Sequence, residues 1–329
     1  MAKKRGNNEG TIRQMPTGSW QGRYTAYVEG VGKQKSVYDK TYEGCSRKLR
    51  EAIHQIQNGE YVEPSQLTLG DWLDTWFHEY GRPHWKETTA TANYQIINHS
   101  LKPVLGQHIL QKLRPEHVQA FINKQVKDGL APATIRRKMT CLQSALKQAV
   151  ENQLILRNPA EHAKLPQAAQ KEIKFLTVDE QQKLVNALPE NTYGRGLRFI
   201  LGTGLRSSEL CGLRWIDIEG DYFTVRQSLH KVKDLDAPEG EKKSKLSVTS
   251  PKSKAGLRPI PLTNSMKALL EEQARTQRVE YLNAGTAWIG EIPDQGNAYV
   301  FTSIIGAPID RNNLARILRN SLEAAGLEH

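Results

Sequence analysis

The period of the hydrophobic positions changes three times along the chain. Between Thr11 and Tyr42, the residues Trp20, Tyr24, Ala26 and Val28 recur at even spacing, with Arg23, Thr25 and Tyr27 between them. Alternation of this kind sends successive side chains to opposite faces of a strand. Pro16-Thr17-Gly18 and Gly30-Val31-Gly32 supply turns, and a third strand is predicted near Lys33–Tyr38. From Tyr42 to Asn58 the period lengthens to that of a helix. Leu49, Ile53 and Ile56 fall on one face there, and Gly59 stops the element. Three short strands and one helix make a module of about fifty residues, which is small but within the range that folds alone.

A linker is predicted over Glu60–Leu67, around Pro64 and Ser65. The pattern is then helical to Pro166. Leu69, Trp72, Leu73 and Trp76 mark a first helix and Ala92–Leu101 a second, followed by a turn at Leu105-Gly106. Pro115–Lys127 is a third, with proline in its first turn. Thr134 to Asn152 is a fourth, with Ile135, Met139, Leu142, Leu146 and Val150 at helical spacing. Asn158-Pro159 closes this region. Four helices over about a hundred residues predict an all-α domain.

After a polar connector over Lys164–Lys174 the pattern is mixed. Thr177 with Glu180 forms a capping box. A helix is predicted near Tyr193–Leu201, interrupted by Gly202-Thr203-Gly204, and a short helix starts around Leu205. Strand is predicted from Trp215 to Leu229, a long hairpin tip over residues 230–256, and a returning strand over Arg258–Leu262. A helix over Asn264–Asn283, a short strand Tyr299-Val300-Phe301 and a last helix over Arg311–Ala325 follow. The predicted fold is multidomain α+β: a small three-stranded sheet with a helix (residues 1–60), an all-α four-helix domain (66–166), and a mainly α domain with a small β-sheet (172–329).

Composition narrows the function classes. Hydrophobic residues are 38% and charged residues 25% of 329, ordinary for a globular protein. No apolar run is long enough for a membrane span, and MAKKRGNNEG has no apolar stretch after its basic start, unlike a secretory signal. The net charge of +11 favours a polyanionic partner. The surplus is spread, with eleven basic against six acidic residues in 1–60 and thirteen against eight in 65–166. Several modules can therefore touch phosphates. Cys45, Cys141 and Cys211 stand far apart without metal-ligand spacing, which suits buried thiols in a reducing, cytoplasmic setting. No HxxxH or HExxH pattern points to zinc.

Two stretches carry candidate chemistry. In Gly202-Thr203-Gly204-Leu205-Arg206-Ser207-Ser208-Glu209-Leu210-Cys211-Gly212-Leu213-Arg214-Trp215, Gly204 permits a sharp break and Arg206 falls in the first turn of a new helix. Unpaired N–H groups there favour anions, and a guanidinium can grip two phosphate oxygens. Leu205, Leu210 and Leu213 would bury the other face. The second stretch, Pro251-Lys252-Ser253-Lys254-Ala255-Gly256-Leu257-Arg258-Pro259-Ile260-Pro261-Leu262, is a basic hairpin leading into an apolar strand.

The first stretch resembles the signature box TGLR-x-x-E-L-x-x-L-x-W of tyrosine recombinases, the phage and transposon integrases. The second is similar to the family hairpin PKTK-x-S-x-R-x-IPL, departing from it at Ser253 and Gly256. The resemblance implies that Arg206 binds the scissile phosphate and that Glu209 supports the site. Lys252 would give a proton to the leaving 5′-oxygen, with Lys254 as the second candidate because of those departures. Residues 11–59 resemble the arm-binding domain, with Arg23, Lys33 and Lys35 implied as DNA contacts. Residues 68–166 resemble the core-binding domain, where Arg136, Arg137 and Lys138 are implied phosphate contacts. Lys254 is a further implied DNA contact, and Arg258 is implied either to contact the DNA backbone or to brace the hairpin. The resemblance further implies double-stranded recombination sites as partner, a homo-tetramer on DNA in the full-length form, no metal or nucleotide cofactor, and a cytoplasmic, nucleoid-associated location in bacteria.

The family mechanism needs a tyrosine nucleophile, which forms a 3′-phosphotyrosine as a 5′-hydroxyl leaves, and a second arginine in an H-x-x-R box. No H-x-x-R occurs between Arg206 and His329. Tyr281, in a predicted helix, and Tyr299, in a predicted strand, lack the context of a nucleophile. The expectation is an incomplete site and an inactive chain. Two explanations stand side by side: a fragment of a longer gene, or a natural truncation that binds DNA without cutting it.

Overall fold

A computed structural model describes residues 10–28, 31–58, 62–167, 175–238, 241, 243–250 and 256–327. Gly30, Gly59, Lys252, Lys254 and His329, each of which the sequence singles out, lie outside the described residues. The protein is α+β. It divides into two compact units, residues 1–84 with 92–169 and residues 85–91 with 170–329. The first two sequence modules thus fall within one unit, except for residues 85–91, which include the start of the third helix and belong to the second unit.

In the first unit, β1 (Thr11–Gln14), β2 (Trp20–Val28) and β3 (Val31–Asp39) form an antiparallel sheet in the order β1-β2-β3. Helix α1 (Tyr42–Gln57) begins at Thr41, whose hydroxyl accepts from the Gly44 N–H. It packs closely on β2. A Cβ at Gly22 would lie 3.0 Å from Val37 Cγ2 and 3.3 Å from both Cys45 Sγ and Leu49 Cβ, so a larger residue there would have to push these neighbours back. Ala26, Cys45 and Leu49 are fully buried there.

The helical part contains α2 (Leu69–Thr75), α3 (Glu87–Ile96), α4 (Lys102–Leu105), α5 (Pro115–Lys127) and α6 (Pro132–Glu151). Helices α2 and α3 run on through π-helical turns at Trp76–Gly81 and Ile97–Leu101. The apolar periodicity of α5 and α6 is the core itself: Val118, Phe121, Ile122, Ile135, Met139, Leu142 and Leu146 are buried. Trp72 Nε1 donates to the Ala145 carbonyl (2.9 Å), tying α2 to α6 by a buried bond. Asn158 has a mechanical reason. Its side chain accepts from the Ala160 N–H and donates to the Gln143 carbonyl, which fastens the chain leaving α6 back onto it.

In the second unit, α7 (Val178–Ala187) starts with the Thr177/Glu180 capping box. Helices α8 (Thr192–Thr203) and α9 (Ser207–Cys211) follow. Strand β4 (Ile218–Glu219), β5 (Tyr222–Val225) and β8 (Arg258–Pro261) make one sheet, and β6 (Ser228–Lys233) pairs with β7 (Ser244–Thr249) in another. Helices α10 (Asn264–Ala284) and α11 (Arg311–Ala324) complete the described unit. Phe199, Leu210, Phe223, Val300, Phe301 and Leu314 lie at the centre of its core.

Three local expectations need correction. The strand predicted from Trp215 to Leu229 is broken, because Trp215–Asp217 forms a 3-10 turn and Gly220 takes a left-handed φ of 60°. Part of the predicted hairpin tip is regular ladder, with Ser228↔Thr249 through Lys233↔Ser244 in register. Finally, Tyr299-Val300-Phe301 has a single bridge to Arg214 rather than a strand partner. Side chains hold it instead: Gln273 Nε2 donates to the Val300 carbonyl (3.0 Å) and Gln277 Nε2 to the Tyr299 carbonyl (2.8 Å). Among the described residues no helix is long and apolar enough to cross a membrane.

Candidate active site and DNA-contact residues

Helix α8 ends at Gly204, whose φ of 69° is left-handed. This conformation costs glycine nothing and other residues about 1 kcal/mol or more. The chain then turns, Leu205 is buried, and Arg206 becomes the residue preceding α9 rather than a member of its first turn. Leu205, Leu210 and Leu213 anchor this segment in the core as the sequence predicts. Because α9 is only five residues long, its dipole is short and the local positive charge rests on Arg206 itself.

Glu209 organises the cluster. Its carboxylate accepts from the Arg206 backbone N–H (3.0 Å) and from Arg206 Nη1 (2.8 Å). The same two oxygens accept from Arg258 Nη1 (3.3 Å) and Nη2 (2.9 Å). The Glu209 side chain is 7% exposed, whereas that of Arg206 is 74% exposed. The result is a cation presented to solvent on a buried anionic support. Burial pushes the Glu209 carboxyl upward, but the Arg258 and Arg206 hydrogen bonds outweigh it and hold the group below its ordinary range. It is therefore ionised at neutral pH. Arg206 keeps part of its guanidinium free for a bidentate grip on an anion.

A second Arg-x-x-acid pair lies just downstream, and sequence reasoning missed it. Arg214 chelates Asp217 through Nε (3.1 Å) and Nη2 (3.0 Å), and Asp217 is 1% exposed. Arg226 adds a third contact to Asp217 at 3.3 Å. Arg214 Nη1 also donates to Asn297 Oδ1, and the Val300 N–H donates to the Leu213 carbonyl. This pair fastens the chain after α9 to residues 297–300. The repeat of arginine followed three residues later by an acid was the available signal.

Tyr281 and Tyr299 take no part in the Glu209 cluster's bonds. Tyr281 packs edge-on against Trp288 (5.5 Å) and Tyr299 bridges to Arg214 through its backbone. Burial raises the Tyr299 hydroxyl above its usual range, the opposite of an activated phenoxide.

The implied DNA contacts are distributed as follows. Arg23 sits opposite Thr11 and Ser36, on the sheet face away from α1, beside Gln21, which is bonded to Arg13, Ser36 and Tyr38. Lys33 and Lys35 are opposite Ala26 and Tyr24 and so leave the other face. Lys35 pairs with Glu63 (2.6 Å). That bond, followed by the charges of Lys33 and Lys35, lowers the Glu63 carboxyl. Arg136 and Arg137 are exposed on α6. Lys138 is half-buried and donates to Gln125 Oε1, with burial lowering its ammonium. The structure thus separates Lys138 from its two neighbours, and Arg258 points to Glu209.

Fold and site together define the class. A profile of the phage integrase family matches residues 174–329, and one of the phage integrase N-terminal SAM-like domain matches residues 68–126. The chain belongs to the tyrosine recombinase family. It is similar to a XerC-like tyrosine recombinase of Caldanaerobacter subterraneus subsp. tengcongensis, 28% identical over 306 residues, covering 90% of this chain and 77% of that one. Its fold is similar to that of the Tn1549 transposon integrase in complex with transposon right end DNA. There the TM-score is 0.61 at 17% identity, over 78% of this chain and 79% of that one. It is also similar to a lambda integrase tetramer bound to a Holliday junction, with TM-score 0.54 at 18% identity over 99% of this chain and 84% of that one.

Proposed function

We propose that the protein is a site-specific recombinase of double-stranded DNA, and that residues 1–329 supply its DNA-binding and phosphate-gripping parts. The observation that carries this reading is the exposed Arg206 guanidinium held on buried Glu209. Residues 1–60 act as an arm-type DNA-binding domain, 66–166 as the core-binding domain and 172–329 as the catalytic domain. Arg206 takes two non-bridging oxygens of the scissile phosphate. Lys252, or Lys254 two residues on, delivers the proton to the leaving 5′-oxygen. Arg23, Lys33, Lys35, Arg136 and Arg137 add phosphate contacts, each strengthening binding in a salt-dependent way. The protein works as a homo-tetramer at the recombination junction, a reading supported by the lambda integrase of similar fold, a tetramer bound to a Holliday junction. Its three cysteines, all buried, suit a reducing, cytoplasmic compartment.

A second reading concerns these 329 residues by themselves. They contain no H-x-x-R after Arg206; the Tyr281 ring packs on Trp288, and burial raises the Tyr299 hydroxyl. On their own, then, they occupy recombination sites without cleaving them. The test is incubation with a nicked suicide duplex followed by denaturing electrophoresis. No covalent protein–DNA band is expected from this polypeptide. A trapped band would place the nucleophile within residues 1–329 and overturn the second reading while leaving the first intact.

A further inference from the structure

Arg258 makes three side-chain contacts, and the family resemblance implies for it only a DNA contact or a brace within the hairpin. It opens β8, opposite Val225 and three residues beyond Ala255. Its Nη1 and Nη2 both reach Glu209, at 3.3 and 2.9 Å, and Nη1 also lies 3.5 Å from the Gly256 carbonyl. Glu209 in turn holds Arg206 twice, by backbone and by side chain. The Arg258 bonds use three of the five guanidinium N–H groups, and the Arg258 side chain is 31% exposed against 74% for Arg206, so Arg258 is the less available of the two to a phosphate. A buried carboxylate with one cationic partner removed becomes expensive to keep ionised.

We infer that Arg258 is a positioning residue: it fixes and neutralises Glu209, and through Glu209 sets the direction of the Arg206 guanidinium, while linking that arginine to the strand next to the candidate lysines. This rests on the phosphate-gripping reading of Arg206. The assignment predicts non-additivity. If Arg258 touched DNA independently, removing it and removing Arg206 would weaken binding in product. If it acts through Glu209, Arg206 is already misdirected once Arg258 is gone.

The test is a double-mutant cycle of Arg206→Ala and Arg258→Gln in the full chain, read by fluorescence anisotropy on a duplex oligonucleotide. R206A is expected to weaken binding roughly fivefold in the parent, the order of one charge-assisted contact, and by less than about twofold in the R258Q background. Arg258→Lys should restore only part of the loss, since one ammonium cannot chelate both oxygens. The ratio of R258Q to parent affinity should also fall from about pH 8 to about pH 5, as Glu209, deprived of its chelator, takes up a proton in its buried site. Additive losses with a pH-independent ratio would overturn the inference and leave the Arg206 reading standing. A parent that does not bind DNA, or an R206A variant that binds as the parent does, would overturn both. Should R258Q not fold by circular dichroism, Arg258→Met keeps the aliphatic stem and carries the same cycle.

Discussion

Glu209 illustrates how one buried carboxylate sets the behaviour of its surroundings. It is ionised in the fold because two arginines satisfy it. Replacing it by glutamine keeps the shape but removes the charge, leaving Arg206 and Arg258 without a counter-ion. Glu209→Gln is expected to destabilise the unit by about 1–3 kcal/mol at neutral pH, measured as a shift in urea midpoint. The pH dependence follows from the direction of the shift. A carboxyl lowered in the folded state contributes stability above its unfolded value, near 4.5, and loses it as pH falls through the lower folded value. The gap between parent and variant should therefore be constant from neutral pH to about 5 and close on further acidification. A gap unchanged at low pH would show that the charge is not what matters. Arg206 and Glu209 were legible in the sequence because they lie three residues apart in one run. The Arg258 bond was not, because its partner is 49 residues away and strand β8 had first to be placed beside β5.

Elements were readable where a local rule decides them. The capping box at Thr177, the proline-led start of α5 and the α6 stripe all follow from nearest neighbours. Elements that depend on tertiary partners were misread. Residues 299–301 are a short aromatic and β-branched run of the kind that favours a strand, yet Gln273 and Gln277 on α10 bond the Val300 and Tyr299 carbonyls. Trp215 likewise leaves strand geometry, and its Nε1 donates to Gln277 Oε1. Two substitutions check the element-level account. Trp72→Phe should cost about 1 kcal/mol by removing the buried indole N–H bond to the Ala145 carbonyl, which keeps its helical partner within α6, read from the unfolding of the helical unit. Gly204→Ala should cost about 1 kcal/mol from backbone strain alone, because a Cβ there meets nothing within 4 Å. A much larger loss at Gly204 would mean that the break between α8 and α9 does more than turn the chain.

At the scale of the whole molecule, the surplus of +11 lies almost wholly in the first two sequence modules, with eleven basic against six acidic residues in 1–60 and thirteen against eight in 65–166, while 172–329 is nearly balanced. Charge favoured a polyanion partner, and the two motifs around Arg206 and Lys252, with the order of modules, carried the family resemblance. What composition could not supply was which cations are free to act. Arg206, Arg136 and Arg137 face solvent, while Lys138 and Arg258 are committed to Gln125 and Glu209. The most direct measurement is the salt dependence of duplex-DNA binding for the parent and R206A, followed by anisotropy between roughly 50 and 300 mM salt. Each neutralised phosphate adds about −0.9 to the slope of log affinity against log salt. The parent should show a steep negative slope, and R206A a slope shallower by about one phosphate's share. A flat response in the parent, or identical slopes for the two proteins, would contradict a phosphate-gripping Arg206.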